Sequence, residues 1–145
     1  MKKIVSITAM FTILLITACS KKDKELPVSK VQLLTSGTWK LTGVLSDNDG
    51  NGTYEENAYA GFLDCYKDNY YTFRVNYELE LNEGLTKCAP SDPQTEMGNW
   101  QLTNNETNLV INTDPYSLEE LNSNTLRIKE TFGGNRSSMI TFTKR

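Results

Sequence analysis

The feature that most constrains this fold is a strict alternation of apolar and polar side chains over residues 71–81. The odd-numbered positions, here called the apolar parity, are Tyr71, Phe73, Val75, Tyr77, Leu79 and Leu81. The even-numbered positions, the polar parity, are Thr72, Arg74, Asn76, Glu78 and Glu80. Because successive side chains of a β-strand point to opposite faces, this period of two predicts strand structure with one buried face. The segment is either one long bent strand or two strands hinged at Asn76, and parity does not distinguish the two.

Shorter runs of the same kind recur in the rest of the sequence. They are Trp39 and Leu41, Trp100 and Leu102, Leu109 and Ile111, Leu126 and Ile128, and Ile140 and Phe142. Turn signals such as Asn104-Asn105 and Gly133-Gly134 separate them. Residues 29–37 differ, since Ser29 as a cap and Gly37 as an end signal predict a short helix. Short strands without a long helix predict an all-β antiparallel barrel or sandwich, and the need to hide strand edges favours a closed barrel.

The N-terminus has the pattern of a bacterial lipoprotein export signal. Lys2 and Lys3 precede the apolar run of residues 4–16, which ends in Ile16-Thr17-Ala18-Cys19. The run is shorter than the roughly 20 residues that span a bilayer, so it is typical of a cleaved signal peptide. In lipoprotein processing the cysteine sulfur receives diacylglycerol. We therefore expect a cleaved signal at 1–18 and a lipidated Cys19, with an ordinary signal and an incidental cysteine as the alternative.

Residues 20–25 are charged and hold no apolar side chain, so we expect residues 19–28 to form a flexible tether before a domain at 29–145. Lys21-Lys22-Asp23 partly resembles the surface-display signal of Bacteroidetes lipoproteins. We expect anchoring to the outer membrane through the lipid, either on its periplasmic face or at the cell surface.

Composition excludes several functions. The net charge of −3 gives no electrostatic footprint for nucleic acid, and the protein has no histidine, the usual general base and zinc ligand. After Cys19 is assigned to lipid, Cys65 and Cys88 remain. An even pair in an exported protein indicates a disulfide, and two buried free thiols are the alternative. No cofactor is predicted.

One loop offers oxygen ligands at alternate residues. Asp47, Asp49 and Asn51, with Gly52 sixth, match the first half of a calcium-binding loop. The match fails at its twelfth position, which is Ala58. Asp, Asn and Gly also favour tight turns for backbone reasons, so a turn is the preferred interpretation and a calcium site the alternative.

Two pairs of neighbouring carboxylates are the remaining catalytic candidates. They are Asp64 with Asp68 and Glu78 with Glu80. The second pair lies on the polar parity of its strand, which predicts solvated charge. We therefore expect that the protein is not an enzyme.

Two segments share the pattern G-x-W-x-L, at residues 37–41 and 98–102. We expect each glycine to let an indole lie across the neighbouring backbone, and a tryptophan to plug one end of the barrel. Other marks are the motif C-x-x-D-N-x-x-x-F in the middle of the sequence (Cys65, Asp68, Asn69, Phe73), the downstream Cys88 and the terminal Thr141-Phe142-Thr143-Lys144. Together these motifs make residues 31–145 resemble the small lipocalin-like lipoproteins of Bacteroidetes.

The resemblance implies an up-and-down barrel of about eight strands. Larger lipocalins also stack a late arginine on the first tryptophan, for which Arg127, Arg136 and Arg145 are available.

The apolar face of the sheet supplies the candidate ligand site. Closing the barrel should turn its bulky aromatic side chains inward, where they would line a cavity for a small apolar or amphiphilic ligand. These residues are Trp39, Tyr71, Phe73, Tyr77 and Trp100. The alternative is that the same rings fill the interior and that the protein is a structural or interaction subunit of a cell-envelope complex.

Overall fold

The computed structural model describes residues 27–145. The predicted signal peptide, the lipidation site Cys19 and the tether up to residue 26 lie outside these residues. Within residues 27–145, no helix is long and apolar enough to cross a membrane.

The described part begins with helix α1 (Lys30–Thr35), close to the predicted position. Ser29 caps it in a reciprocal arrangement: its hydroxyl accepts from the Gln32 backbone N–H at 3.1 Å, and the Gln32 side chain accepts from the Ser29 N–H at 3.0 Å. Leu34 is the residue that this helix buries completely. The helix is therefore capped by Ser29 and packs on the core through Leu34.

Nine antiparallel strands follow. They are β1 (Thr38–Asp47), β2 (Glu56–Asn57), β3 (Tyr70–Phe73), β4 (Glu78–Asn82), β5 (Thr95–Thr103), β6 (Asn108–Ile111), β7 (Asp114–Leu121), β8 (Thr125–Thr131) and β9 (Ser137–Lys144). From β3 to β9 each strand pairs with the next, and β9 pairs with β1 over nearly its whole length. The predicted all-β up-and-down barrel is confirmed: eight strands close the ring, and the short β2 is added beside β1.

The alternation over residues 71–81 is two strands, β3 and β4, joined by a tight turn. The Arg74 N–H donates to the Glu78 carbonyl at 2.9 Å, and the Tyr77 N–H donates to the Arg74 carbonyl at 3.0 Å. Val75 and Tyr77 keep the apolar parity but lie in the turn, so they are 76% and 54% exposed. The prediction that both point into the barrel is wrong, because parity fixes a side only while the strand continues.

The core occupies the end of the barrel nearest α1. Its fully buried large side chains are Leu34, Trp39, Trp100, Leu109, Leu126 and Ile128. The Trp39 indole donates to the Leu34 carbonyl at 2.8 Å, and the Trp100 indole donates to the Arg74 carbonyl at 3.1 Å. Each tryptophan thus satisfies its N–H while filling the interior, as a buried indole requires.

A disulfide joins Cys65 and Cys88, whose Cα atoms are 5.2 Å apart, so the predicted pairing is present. Cys65 lies in the short helix α2 (Asp64–Lys67), and Cys88 lies in the long β4–β5 loop. Asp68 reinforces the link, because its carboxylate accepts the backbone N–H groups of Leu85 and Thr86 at 3.0 and 2.9 Å. The C-x-x-D part of the motif therefore fastens one loop to another.

Candidate functional site

A cavity of about 420 Å³ occupies the end of the barrel opposite α1, and we call it the mouth cavity. Its wall is mostly aliphatic and aromatic. The lining residues are Leu41, Val44, Ser46, Ala58, Phe62, Tyr71, Ile111, Tyr116, Ile128, Glu130, Ser138, Ile140 and Phe142. Ligand pockets of proteins run from about 300 to 1,000 Å³ and combine an apolar wall with few polar groups, and the mouth cavity has both properties.

Strand register explains how the apolar part of this wall forms. Val44 pairs with Ile140 on β9, and Ile140 pairs with Ile128 on β8. Paired residues share a face of the sheet, so these three side chains form one aliphatic row inside the ring. The Phe142 ring packs edge-on against Tyr71, with ring centroids 5.1 Å apart, and closes the cavity towards the core.

A polar row lies one pair of residues nearer the open end. Ser46 pairs with Ser138, and Ser138 pairs with Glu130. The two serine hydroxyls are 3.0 Å apart and hydrogen-bond to each other. Polar side chains therefore line the rim above an apolar interior, an arrangement suited to an amphiphilic molecule.

Two tyrosines add hydroxyls to the same space. Within residues 27–145, neither the Tyr71 nor the Tyr116 hydroxyl hydrogen-bonds to a protein group. Burial raises the pKa of the Tyr71 phenol. Burial also raises the pKa of Tyr116, and the negative charges of Glu130 and Asp114 add to the effect. Both phenols thus stay neutral at physiological pH and are available to a ligand as hydrogen-bond donors or acceptors.

The remaining wall comes from the segment after β2. Asn57 starts a 3₁₀ turn (Ala58–Gly61) by accepting the Ala60 N–H at 3.2 Å, and this turn brings Ala58 and Phe62 over the sheet. The Tyr59 hydroxyl donates to the Leu41 carbonyl at 3.2 Å, beside the bulge in β1 between Leu41 and Gly43. This hydroxyl thereby satisfies a carbonyl at the bulge of β1 and holds the 3₁₀ turn (Ala58–Gly61) against the sheet.

Of the five aromatic residues predicted to line a cavity, the structure places only Tyr71 on the wall of the mouth cavity. Trp39, Phe73 and Trp100 are at most 2% exposed and fill the core beneath, and Tyr77 lies in the β3–β4 turn with its ring against Trp100. Sequence parity assigns these residues to the inner face but carries no information on their depth in the ring. The plug function expected of the tryptophans is present.

Lys144 takes the place in which the resemblance expected an arginine. Its ammonium group lies 4.6 Å from the Trp39 ring centroid and donates to the Leu33 carbonyl at 3.0 Å and the Ser36 hydroxyl at 2.6 Å. Burial lowers the pKa of this amine. The three arginines lie elsewhere: Arg127 pairs with Glu120, Arg136 donates to the Gly133 carbonyl, and Arg145 lies over Tyr70.

The two glycines of the repeated motif give room to polar side chains rather than to indoles. A Cβ on Gly37 would lie 3.2 Å from the Lys144 stem, and one on Gly98 would lie 2.5 Å from Oδ1 of Asn112. That oxygen accepts the Asn99 N–H at 3.1 Å. The predicted role of these glycines is therefore corrected: each admits a side chain that holds neighbouring backbone.

The loop considered for calcium uses its first carboxylate internally. Asp47 accepts the backbone N–H groups of Gly50, Asn51 and Gly52 at 2.8, 3.1 and 2.9 Å. Burial raises the pKa of this carboxyl, but these hydrogen bonds outweigh burial and lower it overall. Asp49 accepts from Asn51. The geometry is that of the turn which the composition favoured.

The carboxylate pairs considered for catalysis lie away from the mouth cavity. Glu78 and Glu80 point outward from β4, where Glu80 pairs with Arg74. Asp64 is exposed beside Lys67, and Asp68 caps the β4–β5 loop.

Sequence reasoning missed the polar rim, namely Ser46, Tyr116, Glu130 and Ser138. The signal was present for Glu130, which continues the inward parity of Leu126 and Ile128. An acidic side chain at an inward position of an apolar strand is a departure from the pattern, and such departures mark functional sites.

Comparison with known proteins agrees with this architecture. Residues 35–128 match the family model described as a lipocalin-like domain. A lipocalin-like protein from Bacteroides uniformis is 17% identical, with a TM-score of 0.49 over 78% of this chain and 99% of that one. A DUF4847 family protein from Bacteroides vulgatus is 15% identical, with a TM-score of 0.55 over 81% of this chain and 98% of that one, which supports the fold alone. Among curated proteins, none matches.

Proposed function

Because the chain belongs to the lipocalin-like domain family, we propose that it binds a small apolar or amphiphilic molecule inside its barrel. The observation that carries this proposal is the mouth cavity of about 420 Å³. An apolar cavity of roughly 150 Å³ already accommodates benzene, so this one has room for a considerably larger body. Burial of the ligand's apolar surface would supply the binding free energy.

The barrel is filled at one end and open at the other, and this difference supports binding over a purely structural role. The end nearest α1 is filled by Trp39, Trp100 and Leu34, so stability does not require the other end to be filled as well. Open apolar volume forfeits packing contacts, at a free-energy cost that grows with the volume. A protein that served only as an interaction module would gain stability from larger side chains at Val44 or Ile140.

We further propose that the protein is a lipid-anchored outer-membrane lipoprotein and that it is not an enzyme. The signal-like residues 1–18 and Cys19 support the anchoring. The outward or internally bonded positions of the near carboxylate pairs support a binding role without catalysis.

Native mass spectrometry tests the binding proposal. Residues 27–145 contain every strand of the ring and its core, and export to the periplasm allows the disulfide to form. We expect the fragment, purified without detergent, to carry added mass that is lost on denaturation. The matched control is Ile140→Trp, which fills the cavity from within the sheet and should remain folded without added mass.

A second measurement covers a ligand that is lost during purification. Thermal unfolding with a panel of single-chain lipids, sterols and glycans should show a raised melting temperature for at least one of them. The apo mass alone, together with no thermal shift across the panel, would refute binding and favour a structural subunit of an envelope complex.

A further inference from the structure

We propose that the molecule held in the mouth cavity carries a positively charged amine on an apolar body, and that Glu130 binds the amine. This inference rests on the proposed function, since it names the chemistry of the ligand that the cavity would hold.

The first step is the position of Glu130. It follows Leu126 and Ile128 on the inner parity of β8, and those two side chains are at most 1% exposed. Its register partner is Ser138, whose partner in turn is Ser46. The carboxylate therefore stands at the rim of the cavity, one row above the aliphatic wall.

The second step is charge. Glu130 is the one charged residue of the cavity lining in the part of the protein that the structure describes, and that lining contains no lysine or arginine. The basic residues on the outer parity of the same strand are already paired. Arg127 lies 3.1 Å from Glu120, and Lys129 lies 3.6 Å from Glu119. Over residues 27–145 Glu130 itself forms no salt bridge, so a cationic ligand would meet a carboxylate that no protein cation neutralises.

The third step is the hydrogen-bonding character of the surrounding groups. An ammonium group has three N–H donors and no acceptor. Glu130 supplies carboxylate oxygens, and the hydroxyls of Tyr116 and Tyr71 supply further acceptors in the same cavity. The raised pKa of Tyr116, caused by burial and then by Glu130, places its phenol within the field of that carboxylate.

The same arrangement acts against anionic amphiphiles. A fatty acid with its tail in the apolar interior would bring its carboxylate to the rim, beside Glu130, and like charges there repel. A phospholipid places a phosphate beside its amine and meets the same repulsion. The chemistry therefore favours a free single-chain amine over a fatty acid or a membrane lipid.

Calorimetric titration with ligands of equal tail length tests the inference. Residues 27–145 are titrated with octylammonium, octanol and octanoate below their micellar concentrations, after a cooperative thermal transition has shown that the fragment is folded. We expect octylammonium to bind at least about tenfold more tightly than octanoate, because its ammonium group gains a charge-assisted hydrogen bond to Glu130 whereas the carboxylate of octanoate is repelled there. Octanol should lie between the two.

Glu130→Gln removes the charge with little change in shape. It should abolish the preference for octylammonium over octanol and leave octanol affinity unchanged. The matched control is Glu78→Gln, which makes the same change on the exposed outer face of β4 and should keep the preference. Sedimentation with phosphatidylethanolamine vesicles separates the two sources of an amine, and the fragment should stay in solution.

The outcomes distinguish the two proposals. If octanol and octanoate bind as tightly as octylammonium, or if Glu130→Gln keeps the amine preference, the inference is refuted while binding in the cavity stands. Sedimentation with the vesicles would also refute it, in favour of a lipid head group. If none of the three ligands binds and the native mass is that of the apo protein, both proposals fail together.

Discussion

At the scale of single residues, Lys144 links three parts of the molecule at the closed end. It is the last residue of β9, yet it reaches the Leu33 carbonyl and the Ser36 hydroxyl at the end of α1 and lies over the Trp39 indole. A cation is favourable at a helix C-terminus, where carbonyl groups lack intrahelical partners. The small size of Gly37 admits its stem. One lysine therefore ties the last strand, the first strand and the helix together.

Replacing Lys144 tests this tie. We expect Lys144→Met to lower the free energy of unfolding by about 1–2 kcal/mol, because charge-assisted hydrogen bonds and a cation–π contact are lost while the apolar stem is kept. Urea denaturation measures the loss. Lys129→Met is the matched control, since its surface ion pair with Glu119 should be worth less than about 1 kcal/mol.

Lys144→Arg should restore most of the lost stability, because a guanidinium also stacks on an indole and bonds to carbonyl groups. Equal stability of the Lys144→Met and Lys129→Met variants would contradict the structural role assigned to Lys144.

At the scale of elements, the segment between β2 and β3 depends on its connection to the β4–β5 loop. This segment supplies Ala58 and Phe62 to the mouth cavity, but its regular structure is limited to one 3₁₀ turn and the four-residue helix α2. The Cys65–Cys88 bond and the Asp68 carboxylate hold it against the loop. The disulfide therefore supports one wall of the candidate site as well as the fold.

Removing the disulfide should loosen that wall first. For the Cys65→Ser, Cys88→Ser double variant we expect a loss of about 3–4 kcal/mol in unfolding free energy, as the chain-entropy model gives for a loop of this length. Hydrogen exchange should show that, relative to the oxidised wild type, amide exchange becomes faster over residues 58–69 to a greater degree than over β8 and β9. Wild-type protein with reductant is the control, and unchanged exchange in both samples would show that the disulfide does not hold the wall.

The positions of the strands and of helix α1 were the part of this fold that the sequence predicted best. Alternation of buried and polar residues located strands such as β8, with Leu126 and Ile128, and the capping residue Ser29 located α1. The turn at Arg74–Tyr77 was less accessible, because the alternation continues through it without a glycine or proline. Besides its local hydrogen bonds, the turn holds Tyr77 at a φ of 65°, and a tertiary contact supports it there, since the Tyr77 carbonyl accepts the Trp100 N–H at 2.9 Å.

The candidate site was harder to predict from the sequence, because the depth at which a side chain lies in the barrel depends on how the strands pair when the ring closes. Tyr71 and Phe73 share one parity, yet Tyr71 lines the mouth cavity and Phe73 is buried against Trp100. Which row a residue occupies depends on register with neighbouring strands, and in the polar row this register brings Ser46 against Ser138, 92 positions further along the sequence. No local pattern encodes such a pairing.

At the scale of the whole molecule, the barrel has one closed and one open end, and the polypeptide enters at the closed end. Helix α1 lies where β1 begins and β9 ends, whereas Ser46 and Ser138 mark the opposite rim. The proposed lipidation site Cys19 precedes α1 in the sequence and lies outside the described residues.

This geometry makes attachment and barrel structure separable, which the Cys19→Ala variant tests. The lipobox-like Ile16-Thr17-Ala18-Cys19 predicts that the cysteine sulfur receives diacylglycerol. Cells expressing the full-length protein are labelled with radioactive palmitate and fractionated. We expect the wild type to be labelled and to sediment with the outer membrane, and Cys19→Ala to lose both properties.

The matched control is Ser20→Ala, which should keep the label and the location. The Cys19→Ala protein should also keep its Cys65–Cys88 disulfide, as non-reducing peptide mapping would show, because the lipid site lies outside the ring that the disulfide supports. An unlabelled Cys19→Ala protein that still sediments with the outer membrane would show that attachment has another cause. Since stable anchoring takes about two hydrophobic signals, the several acyl groups expected on one cysteine suffice to explain attachment if the prediction holds.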